Sequence, residues 1–495
     1  MFSVVKSIAK HSLIYGVADV LSKSIGFLLI PLYTHYLTPS DYGTLELLDL
    51  TSYIVGMLSA MGIANSVVRY YYEYTEKEKK EQVISVAMIT VWVGSLMIFA
   101  VSVLFSKQIS TLVFKSPDYN RLFMIIFASM VFNLSNEIPL TILRIEQKSV
   151  LFVTISLIKT TMSLVVNIIL IVYFGMGVRG ILFSGLIVTG LLGVFLVIYQ
   201  LRKIKFSYNF ELLWPMLKYG IPLAWSTFGM FIVSFSNRFF LQRLSNLSEV
   251  GIYSLAYRFG FMPSVIVMGP FLLVWAPKRF DLVNEPNAKE IYSVIFTYLS
   301  FLLIYTGLGI CILIKDIITI VADPKFSEAY KYVGIILIAY IFNGAVVYVQ
   351  FGIHLAKKTK YLAYATLMAA AVGIAGNVLL IPRLQALGAA IATLISFLFL
   401  LIYTHIVSQK LYYVPYEYGR IIKMSIIALT MYGIASLINL SNLAASIIVK
   451  FLIALSFPLV LHIFRFFKLE ELAKISEIRA RLFNLLRAKV GAIKG

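Results

Sequence analysis

Fourteen apolar segments follow one another along this chain, and they constrain its fold more than any other feature of the sequence. Each is about 20 residues long, which is enough for a helix to cross ~30 Å of hydrocarbon. The segments span approximately residues 12–35, 45–67, 83–106, 121–143, 150–174, 179–200, 215–236, 249–275, 291–314, 331–354, 361–381, 387–408, 421–440 and 444–466. Because a helix satisfies its own backbone polar groups in lipid, these segments predict an all-α polytopic membrane protein.

The composition agrees with a membrane protein and excludes several other classes. Of the 495 residues, 60% are apolar and 13% are charged, whereas soluble domains average about 25% charged residues. The net charge of +20 resides mostly in short loops, where topology determinants belong, so nucleic acid is not an expected partner. The one cysteine, Cys311, lies in an apolar segment, which excludes disulfides and cysteine-based metal sites.

The basic residues of alternate loops predict the topology. Lysine and arginine concentrate in cytoplasmic loops, and most of them fall on that side when the N terminus is placed there. Both termini of this multi-pass protein are then cytoplasmic, and the expected location is the cell (inner) membrane. Two outer loops run against the rule, and they hold Lys107, Lys115 and Arg121, and Lys315, Lys325 and Lys331.

Two similar stretches begin apolar segments about 208 residues apart, which indicates an internal duplication. Ser40-Asp41-Tyr42-Gly43 resembles Ser248-Glu249-Val250-Gly251, and similar stretches beginning at Asn167 and Asn377 have an offset of 210 residues. An even number of segments per repeat gives parallel lobes related by an axis along the membrane normal. The predicted divisions are a six-helix lobe over 1–205, a six-helix lobe over 206–410, two further helices over 411–467 and a basic amphipathic cytoplasmic tail over 468–495.

Charged side chains inside the apolar segments are the candidate functional residues, because a charge at membrane depth costs at least ~2.5–3.5 kcal/mol. Arg258 lies roughly two to three helical turns inside its segment and has no carboxylate within one turn. Another helix or the anion of a ligand must therefore neutralise it, and we favour a ligand in a cationic central cavity. Asp19 and Lys23, one turn apart, either pair with each other or line the same cavity.

Two further pairs of charged residues have both a functional and a structural interpretation. Glu137 and Lys159 either belong to the cavity or pair with each other between neighbouring helices. Glu46 and Asp49 share one helix face near the outer end of their segment. That position favours a solvated rim, with a role in ion coupling as the alternative.

The sequence lacks the usual patterns of catalysis. Its five histidines and one cysteine show no metal-ligand spacing, there is no glycine-rich phosphate loop, and the loops between segments are no longer than about 20 residues. A membrane enzyme that uses sugar nucleotides needs a larger loop or an acidic motif at the interface. We therefore expect a transporter without a catalytic residue, a bound metal or a cofactor.

Three motifs, in this order along the chain, carry a resemblance to a known family. They are Leu37-Thr38-Pro39-Ser40-Asp41-Tyr42-Gly43, Val250-Gly251-Ile252-Tyr253-Ser254-Leu255-Ala256-Tyr257-Arg258 and Leu387-Gly388-Ala389-Ala390-Ile391-Ala392-Thr393. Together they resemble the polysaccharide-biosynthesis branch of the multidrug/oligosaccharidyl-lipid/polysaccharide exporter superfamily, the Wzx-type flippases. Each motif alone is weakly specific, and their order is more specific for the branch than for its substrate.

The resemblance implies a V-shaped bundle of two lobes that opens alternately to each side of the membrane. It implies transport of polyprenyl-diphosphate-linked oligosaccharide, with undecaprenyl as the expected lipid, for O-antigen, capsule or exopolysaccharide assembly. A polysaccharide polymerase and a chain-length regulator are the protein partners to test, and the membrane potential, H⁺ or Na⁺ are the driving forces to test. The alternatives are a peptidoglycan-precursor flippase, a drug or cation antiporter of the same superfamily and, from another class, a membrane enzyme of glycan polymerisation.

One position departs from the family pattern. Many members have an acidic residue before the arginine that ends the seventh segment, and here that position is Asn237, followed by Arg238. If the acid binds a coupling cation in the family, Asn237 lacks the charge for it. Arg238 itself is expected to extend to water at the outer surface.

Overall fold

The computed structural model describes residues 27–438, 440, 442–468 and 471, and these residues form helices without any β-strand. The first helices are α1 (27–36), α2 (Pro39–Ala60), α3 (Ile63–Glu73), α4 (Lys77–Leu104), α5 (Ser106–Phe114), α6 (Asn120–Ile145), α7 (Ser149–Ile168), α8 (Gly177–Leu201) and α9 (Phe210–Leu244). The remaining helices are α10 (Leu247–Gly260), α11 (Gly269–Asp281), α12 (Ala288–Val321), α13 (Tyr330–Val349), α14 (Phe351–Leu355), α15 (Lys360–Leu411), α16 (Tyr418–Ser436) and α17 (Leu443–Ile463). The predicted all-α polytopic fold is confirmed.

Eleven helical stretches of the described chain are long and apolar enough to cross a membrane. One of them, α15, covers two predicted segments in 52 residues and is interrupted at Gln385, whose φ of 50° and ψ of −127° are not helical. The thirteenth predicted segment corresponds to α16, which is not among the eleven and carries Arg420 and Lys423 in its first two turns. These two helices and the first predicted segment, mostly outside the described residues, account for the difference from fourteen.

The eighth predicted segment is not one regular helix. A π-helical turn, Ser264–Met268, separates α10 from α11. Pro263 and Pro270 flank this turn, and proline removes a backbone donor from a helix. The regular part of the segment therefore ends shortly after Arg258.

The helices divide into two compact units. The first comprises Met1–Val283 and Ile317–Tyr413, and the second comprises Asn284–Asp316 and Val414–Gly495. Helices from both predicted lobes belong to the first unit. This division follows packing within the described chain, and the repeat boundaries near 205 and 410 stay predictions.

In the first unit, the duplicated stretches form two helix N termini with the same local chemistry. The Thr38 hydroxyl accepts a hydrogen bond from the Asp41 backbone N–H at 3.1 Å. The Asn246 side chain likewise accepts one from the Glu249 backbone N–H at 2.9 Å. A capping side chain followed three residues later by an acid satisfies and complements the free N–H groups of a helix start.

The same two helices, α2 and α10, touch backbone to backbone at a pair of glycines. A Cβ atom placed on Gly43 would lie 2.2 Å from the Leu247 carbonyl oxygen. One placed on Gly251 would lie 1.9 Å from the Pro39 carbonyl oxygen. Both distances are too short for any side chain, so the contact requires glycine at both positions.

The second unit contains a buried ion pair between α12 and α17. Lys450 Nζ lies 2.6 Å from Asp316 Oδ2, and the Ser446 hydroxyl donates to the same carboxylate at 3.3 Å. Neither charged side chain is more than 10% exposed. The charge of Lys450 is therefore compensated within the protein, which is how a buried ion is tolerated.

Replacing Gly251 by alanine should destabilise the protein by about 1–3 kcal/mol, because the added methyl group overpacks the contact between α2 and α10. Gly309→Ala is the matched control, since a Cβ on this helical glycine meets no atom within 4 Å. That change should be neutral or stabilising, because alanine favours helix more than glycine does. Thermal unfolding of both purified variants in one detergent tests the contact, and an unchanged midpoint for Gly251→Ala would contradict it.

Candidate functional site

A cavity of about 570 Å³ with both polar and apolar lining residues lies within the first unit, lined mainly by α2, α6 and the start of α3. Its charged lining residues are Asp49 and Glu137. Uncharged hydrogen-bonding groups come from Ser52, Asn65, Ser129, Asn133, Thr189 and Thr227. The volume falls within the ~300–1,000 Å³ of known ligand pockets, and the lining suits a ligand rich in hydroxyl groups.

The structure does not bring Glu137 and Lys159 together as an ion pair. Lys159 Nζ instead lies 3.5 Å from Asn133 Oδ1, one helical turn from Glu137 on α6. No ion pair involves either charge within the described chain. Glu137 lines the cavity, and Lys159 approaches the same wall through Asn133.

Arg238 is fully buried, so the expectation that it extends to water is wrong. Its side chain is 0% exposed, and Nε lies 3.4 Å from Glu46 Oε1. Nη1 donates to Asn237 Oδ1 at 2.9 Å and to the Ser234 carbonyl at 3.0 Å, while the Tyr257 ring centre lies 3.8 Å from the guanidinium carbon. Pairing and stacking on an aromatic ring are what make a buried guanidinium tolerable.

Arg238 was predicted to extend to water because its helix is longer than the hydropathy indicates. Hydropathy ends the seventh segment near residue 236, whereas α9 continues to Leu244, about two further turns. Arg238 is therefore inside the helix rather than at its end. The expected solvated rim at Glu46 is replaced by a contact with this arginine, and Glu46 is only 16% exposed.

Asn237 joins the buried arginine to two of the sequence motifs. Its amide donates to the Tyr253 hydroxyl at 2.7 Å and to the Thr393 hydroxyl at 2.8 Å. Tyr253, Tyr257 and Thr393 belong to the sequence motifs, but no role was predicted for them. The one-turn spacing of the two tyrosines, next to a charged residue inside a span, was the available signal.

Arg258 lies where α10 meets α2, and it is not part of the lining of the described cavity. Its guanidinium carbon is 5.2 Å from the centre of the Tyr42 ring. Glu46 and Asp49 interact with it electrostatically, so another helix supplies the neutralising carboxylates. Asp49 also lines the cavity and is exposed there, which connects Arg258 to the cavity through one side chain.

The cavity therefore differs in charge from the sequence prediction. The part of its lining within the described residues contains two carboxylates and neither lysine nor arginine. Asp19 and Lys23 lie outside the described residues. Arg238 instead pairs with Glu46 where α2 meets α9, and Arg258 interacts electrostatically with Glu46 and Asp49 where α2 meets α10.

The helical fold, with eleven stretches of the described chain long and apolar enough to cross a membrane, defines a multi-pass membrane protein. Residues 8–283, more than half of the chain, match the family described as polysaccharide biosynthesis protein. The protein belongs to this family.

Individual relatives are distant in sequence. The succinoglycan biosynthesis transport protein ExoT of Rhizobium meliloti (strain 1021) is 20% identical over 329 residues, which are 65% of this chain and 64% of ExoT. This chain thus covers slightly less than two thirds of the length of that relative.

Solved structures show how widely the fold is shared. The lipid II flippase MurJ in an inward closed conformation has a TM-score of 0.73 and 16% identity, over 91% of this chain and 99% of that one. An inward-facing multidrug resistance transporter of the MATE family has a TM-score of 0.63 and 13% identity, over 80% and 98%. At these identities the likeness shows the fold alone.

Breaking the pair between Arg238 and Glu46 should cost about 3–5 kcal/mol of stability, because it removes the ion pair of a largely buried carboxylate. Arg238→Met should strongly lower the unfolding midpoint in detergent, and adding Glu46→Gln should recover part of the loss. The control is the pair of Arg69 and Glu73, which are 3.9 Å apart and each more than half exposed. Arg69→Met should change the stability by less than about 1 kcal/mol.

A double-mutant cycle for each pair separates coupling from the other effects of substitution. The buried pair should show the larger coupling energy. If Arg238→Met were no more destabilising than Arg69→Met, the buried contact would not hold α2 against α9.

Proposed function

We propose that this protein is a flippase that moves polyprenyl-diphosphate-linked oligosaccharide repeat units from the cytoplasmic to the outer leaflet for surface polysaccharide assembly. It acts in the cell (inner) membrane, with both termini cytoplasmic, by alternating access. The observation that carries the proposal is the cavity, which places hydrogen-bonding groups among apolar helices. Family membership, the transport of succinoglycan in the name of ExoT and the fold shared with MurJ support it.

The cavity addresses the main physical obstacle to this transport. A glycan head cannot cross hydrocarbon unaided, because its hydroxyl groups and charges would lose their hydration. Asn65, Asn133, Asp49 and Glu137 line the cavity with amide and carboxylate groups. Carboxylates accept hydrogen bonds from sugar hydroxyls, and amides both donate and accept them, so this lining replaces the water that the glycan leaves behind.

The diphosphate requires a cation, and among the described residues Arg258 is our candidate for it. It interacts electrostatically with Asp49, which lines the cavity, and a diphosphate would compete with that carboxylate for the guanidinium. Lys23 is the second cation proposed for this task. An inside-negative potential would favour export of the anionic head by ~2.3 kcal/mol per charge per 100 mV, and H⁺ or Na⁺ coupling could add to it.

Sidedness of the lipid-linked oligosaccharide tests this function. In a strain without the gene, the repeat units should stay inaccessible to a membrane-impermeant probe applied to intact spheroplasts, and the wild-type gene should restore access. Arg258→Ala should abolish the restored access at an unchanged protein level. Accessible units that fail to lengthen would instead place the protein after translocation.

Asn133→Leu tests the cavity itself. Losing one hydrogen bond of about 1 ± 0.5 kcal/mol should slow appearance of the units at the outer face by up to about tenfold. Met124→Leu on the same helix is the control, since Met124 is outside the cavity lining and 36% exposed. Equal rates for both variants would remove the cavity from the transport route.

The two carboxylates of the cavity lining favour one other function, a drug or cation antiporter of the same superfamily, because carboxylates attract cationic ligands. Export of a cationic dye from everted vesicles would measure it directly. Dye export lost in Asp49→Asn and Glu137→Gln, with normal sidedness of lipid-linked units in the gene deletion, would establish the antiporter and exclude the flippase.

A further inference from the structure

A shallow basic depression of about 900 Å³ lies where α4 ends and α5 begins, on the side that the topology assigns to the outer face. It is lined by Lys107, Gln108, Thr111, Leu112, Lys115 and Arg243. The first four have the spacing i, i+1, i+4 and i+5, so they form a single face of α5, and Lys115 follows as the C-cap of this helix. Arg243 faces them from the last turn of α9.

The opposite face of α5 fixes this surface in place. Its buried residues are Ser106, Ser110 and Phe114. The Ser110 hydroxyl donates to the Ser116 carbonyl at 2.6 Å, and the Phe114 ring stacks on Tyr119 with the ring centres 4.2 Å apart. The basic face therefore belongs to an anchored helix rather than to a free loop.

One of the basic side chains is itself held in position. Lys115 Nζ donates to the Arg243 backbone carbonyl at 2.8 Å, which ties α5 to the end of α9. Lys115 has a φ of 60°, a backbone conformation that residues other than glycine rarely adopt. The surrounding contacts thus maintain a locally unfavourable backbone that places this ammonium group beside Arg243.

The positive charge of the depression is not neutralised by the protein. Lys107, Lys115 and Arg243 have no ion pair with any carboxylate in the part of the chain that the structure describes. Two of the three come from an outer loop that departs from the positive-inside rule. Clustered, unpaired cations on the side that normally carries few of them indicate a site for an anion.

Exposed apolar side chains beside these cations indicate that the anion belongs to a lipid. Leu112 lines the depression and is 77% exposed, and Leu104 and Phe105, just before α5, are 77% and 53% exposed. Cations next to exposed apolar groups, at the end of a membrane-spanning helix, are typical of the depth of lipid headgroups. A soluble anion would gain nothing from these apolar neighbours.

We propose that this depression binds the diphosphate of a polyprenyl-linked glycan in the outer leaflet, as a delivery site for the translocated unit. The proposal rests on the proposed function and deepens it. Lys107, Lys115 and Arg243 supply three positive charges to one depression, which suits the charge of two linked phosphates better than that of one. Gln108 and Thr111 lie between the two lysines and reach the first sugar, and a polymerising glycosyl transfer would consume the unit from there.

Binding of farnesyl diphosphate to the full-length protein in phosphatidylcholine nanodiscs tests the site. The triple variant Lys107→Gln, Lys115→Gln and Arg243→Gln should weaken binding at least about tenfold, because each surface cation contributes ~1 kcal/mol towards an anionic lipid. The matched control removes three lysines from the other end of α4, Lys77→Gln, Lys79→Gln and Lys80→Gln, and should leave the affinity unchanged. Unfolding midpoints of both triple variants, and the single variant Arg243→Gln, show whether a loss of binding reflects a loss of folding.

Competitors distinguish the source of the phosphate. Inorganic pyrophosphate and phosphatidylglycerol should each compete much more weakly than farnesyl diphosphate. Equal competition by pyrophosphate would show a soluble-anion site, and equal competition by phosphatidylglycerol a site for bulk acidic lipid, and either result overturns the proposal. Since binding is measured on purified protein, a triple variant that binds normally while the wild type passes the sidedness test would refute the delivery site alone.

Discussion

A guanidinium buried in a membrane-spanning unit must be neutralised where it lies, and the arrangement of α2, α9 and α10 follows from this requirement. Glu46 of α2 reaches Arg238 of α9, which fixes one helix against the other. On α10, Gly251 meets Gly43 of α2 and lets these two helices approach without side chains between them. The charge pair acts at short range, and the glycine contact brings two backbones together without a directional attraction.

The sequence predicted the crossing helices well, because their signal is local. A run of about 20 apolar residues is long enough to span the bilayer wherever it occurs, and the similar stretches predicted a repeat whose two copies share one local structure. That structure is a capped helix start followed by glycine, at Thr38 to Gly43 and at Asn246 to Gly251. Interruptions within a segment were harder to predict, since the π-helical turn Ser264–Met268 divides the segment predicted over 249–275.

The sequence allowed us to propose charged residues for the candidate site, but it did not predict which residues they contact. Charge inside a span drew attention to Arg258, Asp49 and Glu137, but hydropathy cannot say which helix faces which. Arg238 was misplaced because polar residues near a helix end lower the local hydropathy, although the helix itself continues to Leu244. Tyr253 and Thr393, which bind Asn237, are 140 residues apart in sequence, and pairing at that distance leaves no pattern in a single chain.

The distribution of charge along the proposed route favours release of the anionic headgroup at the outer face. The described cavity lining carries two carboxylates, while the depression on α5 carries three cations without carboxylate partners. An anionic headgroup is repelled by Asp49 and Glu137 once it has left Arg258, so a long stay in this cavity is unfavourable. The same headgroup is attracted to Lys107, Lys115 and Arg243, where water and salt screen the attraction and keep binding reversible. A transporter that must release its cargo at one face benefits from this order, because tight binding in the cavity would slow the step that completes each cycle.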